Sequence, residues 1–336
     1  MKKIFLFIIF STTIIFSSFG KTNKRQKYKL QKPYGNPVEF SETWGYVMQG
    51  RENFYNENLP ITDVCYFAAD FNCYGELIDI PSRTNLKTSQ NTKVHLVFIC
   101  DSLSLTHFLI SSEFGLRNSI IKQMIDAVKD FDGLQLDFEL IPQKDSAIFF
   151  DFITTLKSEL EKTYGKNKKM YTICVPARTR LLENDIFPYQ KFSEIFDRIF
   201  VMAYDEHWAS SRPGPIASLD WCEKIVNYAK STIPEEKLIM GIPFYGRTWV
   251  ENSPQGAWIF ETLNKKMIEN NVKKIIYEDE IPTVEYNQTV KVKGYFNDVY
   301  SLVNLCRLYE NQKIENIGFW RIGQEDYDFW DWLILK

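Results

Sequence analysis

Residues 131–140 read FDGLQLDFEL. Leu134, Leu136, Phe138 and Leu140 interleave with Gly133, Gln135, Asp137 and Glu139. Period-two alternation belongs to a β-strand, whose successive side chains project to opposite faces. Normally one such face packs on a core while the other meets water. Here the second face carries an amide and two acids, and the strand is otherwise apolar. Asp137 and Glu139 point the same way, with Gln135 one step deeper. Asp132, Gln135, Asp137 and Glu139 are therefore candidates for a site rather than a solvated face; for Asp132 the alternative is a cap or hydrogen bond below the pocket.

Working outward, comparable β-rich runs recur: 43–49, 64–71 and 94–100 before this stretch, then 170–177, 198–205, 238–246 and 316–323 after it. Between them lie apolar stripes at helical spacing. Ile120, Ile121, Met124, Ile125 and Val128 form one. Phe149, Phe152, Ile153, Leu156 and Leu160 form another, with Asp145 a candidate N-cap. Trp221, Ile225, Tyr228 and Ala229, and then Val299, Leu302, Val303, Leu305 and Leu308, complete the series. Strands alternating with helices imply parallel β/α units, and run-like strands imply burial on both faces. The expected fold is α/β, a (β/α)8 TIM barrel. A doubly wound open sheet is the runner-up, but WGYVMQGRE after the first strand lacks a Gly-rich phosphate turn. One interval is long. Residues 250–297 hold a helical pattern (259–271) and β-like segments, which predicts a small α/β insertion between strand 7 and helix 8.

The organisation expected is a signal peptide over 1–20, a polar leader over 21–39 and the barrel over 40–336. Lys2 and Lys3 precede an apolar run to Phe19, and Ser18 and Gly20 supply the small residues of a cleavage site. The protein is then secreted, or periplasmic in the cell envelope, with no stable membrane span once the signal is removed. The alternative is an uncleaved anchor, since the run is slightly short of the ~20 residues that cross a bilayer. The chain of 336 residues has a net charge of −3 and no large basic stripe beyond residues 21–29, which argues against nucleic acid as a partner. Six cysteines show no paired metal spacing, and three histidines are too few for an ordinary zinc site, so no metal is expected. Cys65 and Cys73 form the single close pair and the one candidate disulfide.

In a β/α barrel the active site lies at the C-terminal ends of the strands. Met202, Tyr204 and Asp205 end the sixth run, Tyr245 and Arg247 the seventh, and Trp320 lies along the eighth. Acids, a phenol and an indole converging on one mouth suit sugar chemistry: an acid protonates a leaving oxygen and an indole stacks on a pyranose. Tyr245 and Arg247 either contact ligand or form an ion pair near the insertion. Trp44 and Tyr46 fit core or pocket wall equally.

DGLQLDFE resembles the Asp-Gly-x-Asp-x-Asp-x-Glu signature of glycoside hydrolase family 18, the chitinase-like enzymes. MAYD (202–205) resembles that family's sixth-strand motif, and IGFWRIGQED (317–326) its eighth-strand segment. PGPIASLDW and KLIMGIPFYGRTW look closest to the bacterial spore-cortex-lytic and peptidoglycan branch. The resemblance covers Glu42 to the C-terminus. It implies substrate-assisted retaining hydrolysis of an N-acetylglucosamine-containing polysaccharide, either peptidoglycan or chitin-like. Glu139 would be the general acid, with Asp137 and Tyr204 completing the catalytic set. Asp132, Gln135, Met202, Asp205, Tyr245, Arg247 and Trp320 would bind substrate, and no cofactor is implied. The sequence departs from the signature at Gln135, where the family has Asp. A neutral amide cannot take a proton from Asp137. A sugar-binding protein on the same barrel is therefore the competing expectation.

Overall fold

Eight parallel strands close on themselves: β1 (Glu42–Met48), β2 (Asp63–Phe71), β3 (Lys93–Cys100), β4 (Gly133–Phe138), β5 (Met170–Pro176), β6 (Arg198–Met202), β7 (Leu238–Pro243) and β8 (Asn316–Trp320). Each pairs with the next, and β8 pairs with β1, with Asn316 opposite Glu42 and Phe319 opposite Gly45. This is the expected (β/α)8 barrel, seen in a computed structural model that describes residues 29–251 and 258–336. The signal peptide expected over 1–20 and the first part of the leader lie outside the described residues.

Every residue of β4 is buried, as a strand covered on both sides must be. Leu134, Leu136 and Phe138 face outward into the layer beneath the helices. Phe138 stacks on Phe152 of helix α1 (Ser146–Tyr164), ring centroids 6.0 Å apart. Each such fully buried side chain stabilises the fold by roughly 1.5–3 kcal/mol relative to exposure. The inward layer is different. Trp44, Tyr46, Cys65, Val97, Cys174, Phe200 and Ile239 fill the lumen, with Gln135 and Asp137 among them from β4. Two glycines make this filling possible. A Cβ on Gly318 would fall 2.3 Å from the Phe200 ring, and one on Gly133 2.4 Å from the Met170 carbonyl. At the N-terminal end Trp44 stacks on His95 at 4.6 Å, His95 is hydrogen-bonded to Asp63 at 2.7 Å, and Glu42 pairs with Arg198.

Several details differ from expectation. In place of α-helices the first two crossovers carry short 3-10 turns, Glu52–Phe54 and Arg83–Asn85, and the second adds a two-residue strand, Leu77–Ile78, antiparallel to Asp70–Phe71. Val38–Phe40 forms a strand parallel to Leu333–Leu335, with Val38 and Phe40 fully buried. The leader's last residues thus belong to the folded body, a three-residue alternation being too short to read as a strand. Asp145 occupies the N-cap position of α1, yet its carboxylate engages His107 at 2.8 Å and no helix N–H. Cys65 points into the lumen while Cys73 is exposed, and all six cysteines are free thiols.

The interval after β7 contains an antiparallel pair, Arg247–Val250 with Val292–Tyr295, a helix Phe260–Glu269 with no buried residue, and a second small pair, Ile276–Glu278 with Ile281–Thr283. Arg247, expected to end the seventh strand, instead opens this piece, because β7 stops at Pro243.

Candidate active site

The C-terminal ends of the strands surround a cavity of about 490 Å³. Asp137 and Glu139 enter it from β4 and the residue beyond its end, Met202, Tyr204 and Asp205 from β6 and its exit, Tyr245 and Arg247 from the exit of β7, and Trp320 from β8. Eight of the ten expected residues therefore meet in one place. The strand register produces this convergence, since parallel neighbours present their carboxyl ends on the same rim.

The other two do not. Asp132 precedes β4 at the opposite end of the barrel, exposed, its carboxylate accepting from the Val94 N–H at 2.7 Å. It ties β3 to β4 and cannot contact a ligand in the cavity. Gln135 is fully buried beneath Asp137 and does not reach the cavity wall. Its Oε1 accepts from the Tyr46 hydroxyl at 2.5 Å, and that hydroxyl also lies 3.0 Å from Cys174 Sγ. Gln135 Nε2 and Asp137 Oδ1, buried neighbours on one face of the strand, both lack a partner. A donor and an acceptor left open in a dry lumen are costly unless they find each other or a ligand.

The charges are tuned by this burial. Asp137 is pushed up to about 7, first by loss of water and then by the negative charge of Glu139, against a hydrogen bond from Cys174. Glu139, at the rim, is also raised: by desolvation, then by Asp101 and Asp205. Burial holds the Tyr204 phenol far above its ordinary value, reinforced by Cys174 and Asp137, so it stays a donor. An acid that holds its proton more tightly than usual, a buried carboxylate and a neutral phenol around one cavity are the parts for protonating a leaving oxygen while holding developing positive charge.

Asp205 has a left-handed backbone, φ +58, unusual for a residue with a Cβ. Three donors hold it there: Tyr245 Oη at 2.5 Å, and Arg247 Nη2 at 2.7 Å and Nε at 3.1 Å. Tyr245 and Arg247 line the cavity and, at the same time, clamp Asp205. The ion pair and the ligand wall, set out as alternatives, are one structure. Trp320 packs edge-on against Phe67 and Tyr46, at 4.9 and 5.1 Å, and borders the cavity. His207 is spent on the Pro215 carbonyl at 2.9 Å.

Sequence reading missed Cys174 and left Tyr46 undecided. Both sit at inward positions of their strands. Parity with Asp137 across the sheet would have found them, had the register been known.

The sequence profile described as "Glycosyl hydrolases family 18" matches residues 11–325. Among curated proteins, a putative sporulation-specific glycosylase YdhD of Bacillus subtilis is 26% identical over 236 residues, covering 66% of this chain and 54% of that protein. A cortical fragment-lytic enzyme of Bacillus anthracis is 24% identical over 291 residues, covering 79% and 66%. The chain thus spans about half to two thirds of the length of these relatives. Among solved structures, the Bacillus cereus spore cortex-lytic enzyme SleL superposes with a TM-score of 0.67 at 20% identity, over 91% of this chain and 77% of that one. A Cycas revoluta chitinase in complex with (GlcNAc)3 gives 0.64 at 20% identity, over 86% and 97%. Signature, barrel and profile agree, and the chain belongs to family 18 of the glycosyl hydrolases.

Proposed function

We propose that the protein is an exported glycosidase that cleaves β-linked N-acetylglucosamine polysaccharide, peptidoglycan before chitin, by substrate-assisted retention. The observation that carries this reading is the meeting of Asp137, Glu139 and Tyr204 in one cavity. Glu139 gives its proton to the glycosidic oxygen, so the bond to the leaving sugar breaks as the O–H forms. The substrate's own acetamido carbonyl attacks the anomeric carbon from the opposite side, giving an oxazolinium ion. Asp137 accepts from the acetamido N–H and offsets the positive charge, and Tyr204 donates to the acetamido oxygen. Water then opens the ion, returning a proton to Glu139, with the anomeric configuration kept. Trp320 floors the sugar, beside Met202 and the Asp205 clamp. Peptidoglycan is placed first because relatives include sporulation and spore-cortex enzymes.

Incubation with peptidoglycan, chitin oligomers and a glycoprotein tests the reading. New reducing ends, initially of β configuration by NMR, are expected from the first or second. Binding with no new reducing end would favour the sugar-binding alternative that Gln135 keeps open.

Residue 135 has its own expected signature. In Gln135→Asp a second carboxylate enters beneath Asp137, and a like charge makes Asp137 harder to ionise. The acidic limb of the pH–rate profile should move up by about one unit or more, with turnover retuned and not abolished. Profiles of parent and variant that superimpose would remove residue 135 from the chemistry.

A further inference from the structure

Two arginines on neighbouring turns at the barrel mouth have no ion-pair partner among the described residues. Arg51 lies in the turn leaving β1, its N–H donating to the Met48 carbonyl at 3.0 Å. Arg321 follows Trp320 at the exit of β8, and its carbonyl accepts from the Gln324 N–H at 3.2 Å. β1 and β8 are paired neighbours, and the Ile322 N–H reaches the Tyr46 carbonyl at 3.0 Å, so the two turns emerge side by side. Trp320 and Gln324, which flank Arg321, border the cavity.

The acids of these turns are engaged elsewhere. Glu52 accepts from the Gly50 N–H at 2.9 Å and from the Tyr66 hydroxyl. Glu325 accepts from the Gly323 N–H at 2.6 Å and the Trp330 indole at 3.2 Å. Among the described residues, neither Arg51 nor Arg321 forms an ion pair or lies over an aromatic ring. Two other arginines at the exits of barrel strands are paired, Arg247 with Asp205 and Arg178 with Asp185. Arg321 is half-buried, and burial followed by the charge of Arg51 weakens its hold on its proton. Arg51 is exposed beside it, and two like charges on neighbouring turns are unfavourable until an anion bridges them; guanidinium forks suit a carboxylate.

The geometry points to a carboxylate-binding site formed by Arg51 and Arg321 beside Trp320, which selects an acidic N-acetylglucosamine glycan. In peptidoglycan the carboxylate belongs to the lactyl ether or to the stem peptide; chitin offers none. The inference rests on the glycan reading above and narrows it.

Isothermal titration of the protein with soluble disaccharide–peptide fragments of peptidoglycan tests the site directly. One batch keeps its carboxylates and another is amidated with carbodiimide. The parent should bind the carboxylated batch about tenfold more tightly, a preference that shrinks as salt rises. Arg51→Gln with Arg321→Gln should bind both batches alike, while Arg51→Lys with Arg321→Lys keeps part of the preference and controls for folding. Fragments stripped of stem peptide retain only the lactyl carboxylate; tight binding of these assigns the lactyl group as ligand, and loss assigns the peptide. A parent without preference, or a Gln double variant that keeps it, overturns the site. A protein that cleaves neither peptidoglycan nor chitin overturns the glycosidase reading instead, and the titration still decides the site.

Discussion

Glu139→Gln should lower turnover of N-acetylglucosamine polymers by about 10²–10⁴-fold, the usual range for loss of a positioned general acid. The amide has nearly the shape of the acid and no proton to give. Glu139 lines the cavity immediately beyond β4, where its carboxyl is kept protonated to higher pH by desolvation and by the charges of Asp101 and Asp205. Those influences matter because a leaving oxygen needs an acid that still holds its proton near neutrality. Substrate affinity should change little, since the Asp205 clamp and Trp320 are untouched. Steady-state release of reducing ends, paired with calorimetric binding of a chitin oligomer, separates the two effects. Digestion at the parent's rate would end the proposed mechanism; equal inactivity of parent and variant, with binding retained in both, would identify a sugar-binding protein.

How much of this was legible beforehand follows from where each residue's constraint originates. The eight strands were readable because burial on both faces leaves continuous apolar runs, and β4 declared its site because charged side chains interrupt such a run only for a reason. Residues at strand ends were found for the same reason. Helix α2 (Tyr189–Ile195) gave no sequence stripe, being seven residues and barely two turns long. Asp132 has the parity of Leu134 and Leu136, not of Asp137 and Glu139, and lies before β4 at its N-terminal end, where the alternative of a hydrogen bond below the pocket holds. Gln135 was placed one step too near the ligand, since depth along a strand depends on where the lumen's filling stops, here at Tyr46 and Cys174. The double duty of Tyr245 and Arg247 needed the left-handed turn at Asp205, a backbone feature that the sequence does not advertise.

Asp137→Asn should impair activity and stabilise the fold, and the opposition of those two signs is the strongest test of what the buried carboxylate is for. Activity should fall by about 10²–10³-fold, the cost of losing a preorganised electrostatic partner for developing charge. The pH–rate profile should also lose its step near 7, the value to which burial and then Glu139 raise Asp137. In the proposed mechanism the productive form keeps its proton on Glu139 beside an ionised Asp137. With Asn at 137 a single acid remains, and only the alkaline limb survives. Stability runs the other way. The folded state holds the Asp137 proton to about 7, whereas the unfolded chain releases it near the ordinary carboxyl value of 3.8. Between those values the native state binds more protons, so stability declines as pH rises through that window, and the decline is complete above about 7. A neutral amide carries no such penalty. Asp137→Asn should therefore be more stable than the parent at pH 8, with the advantage vanishing toward pH 4, in urea unfolding followed at both values. A variant less stable than the parent at pH 8 would mean that the carboxylate serves the fold. A more stable, inactive variant would mean that this barrel carries a buried charge, against its own stability, for the sake of the reaction.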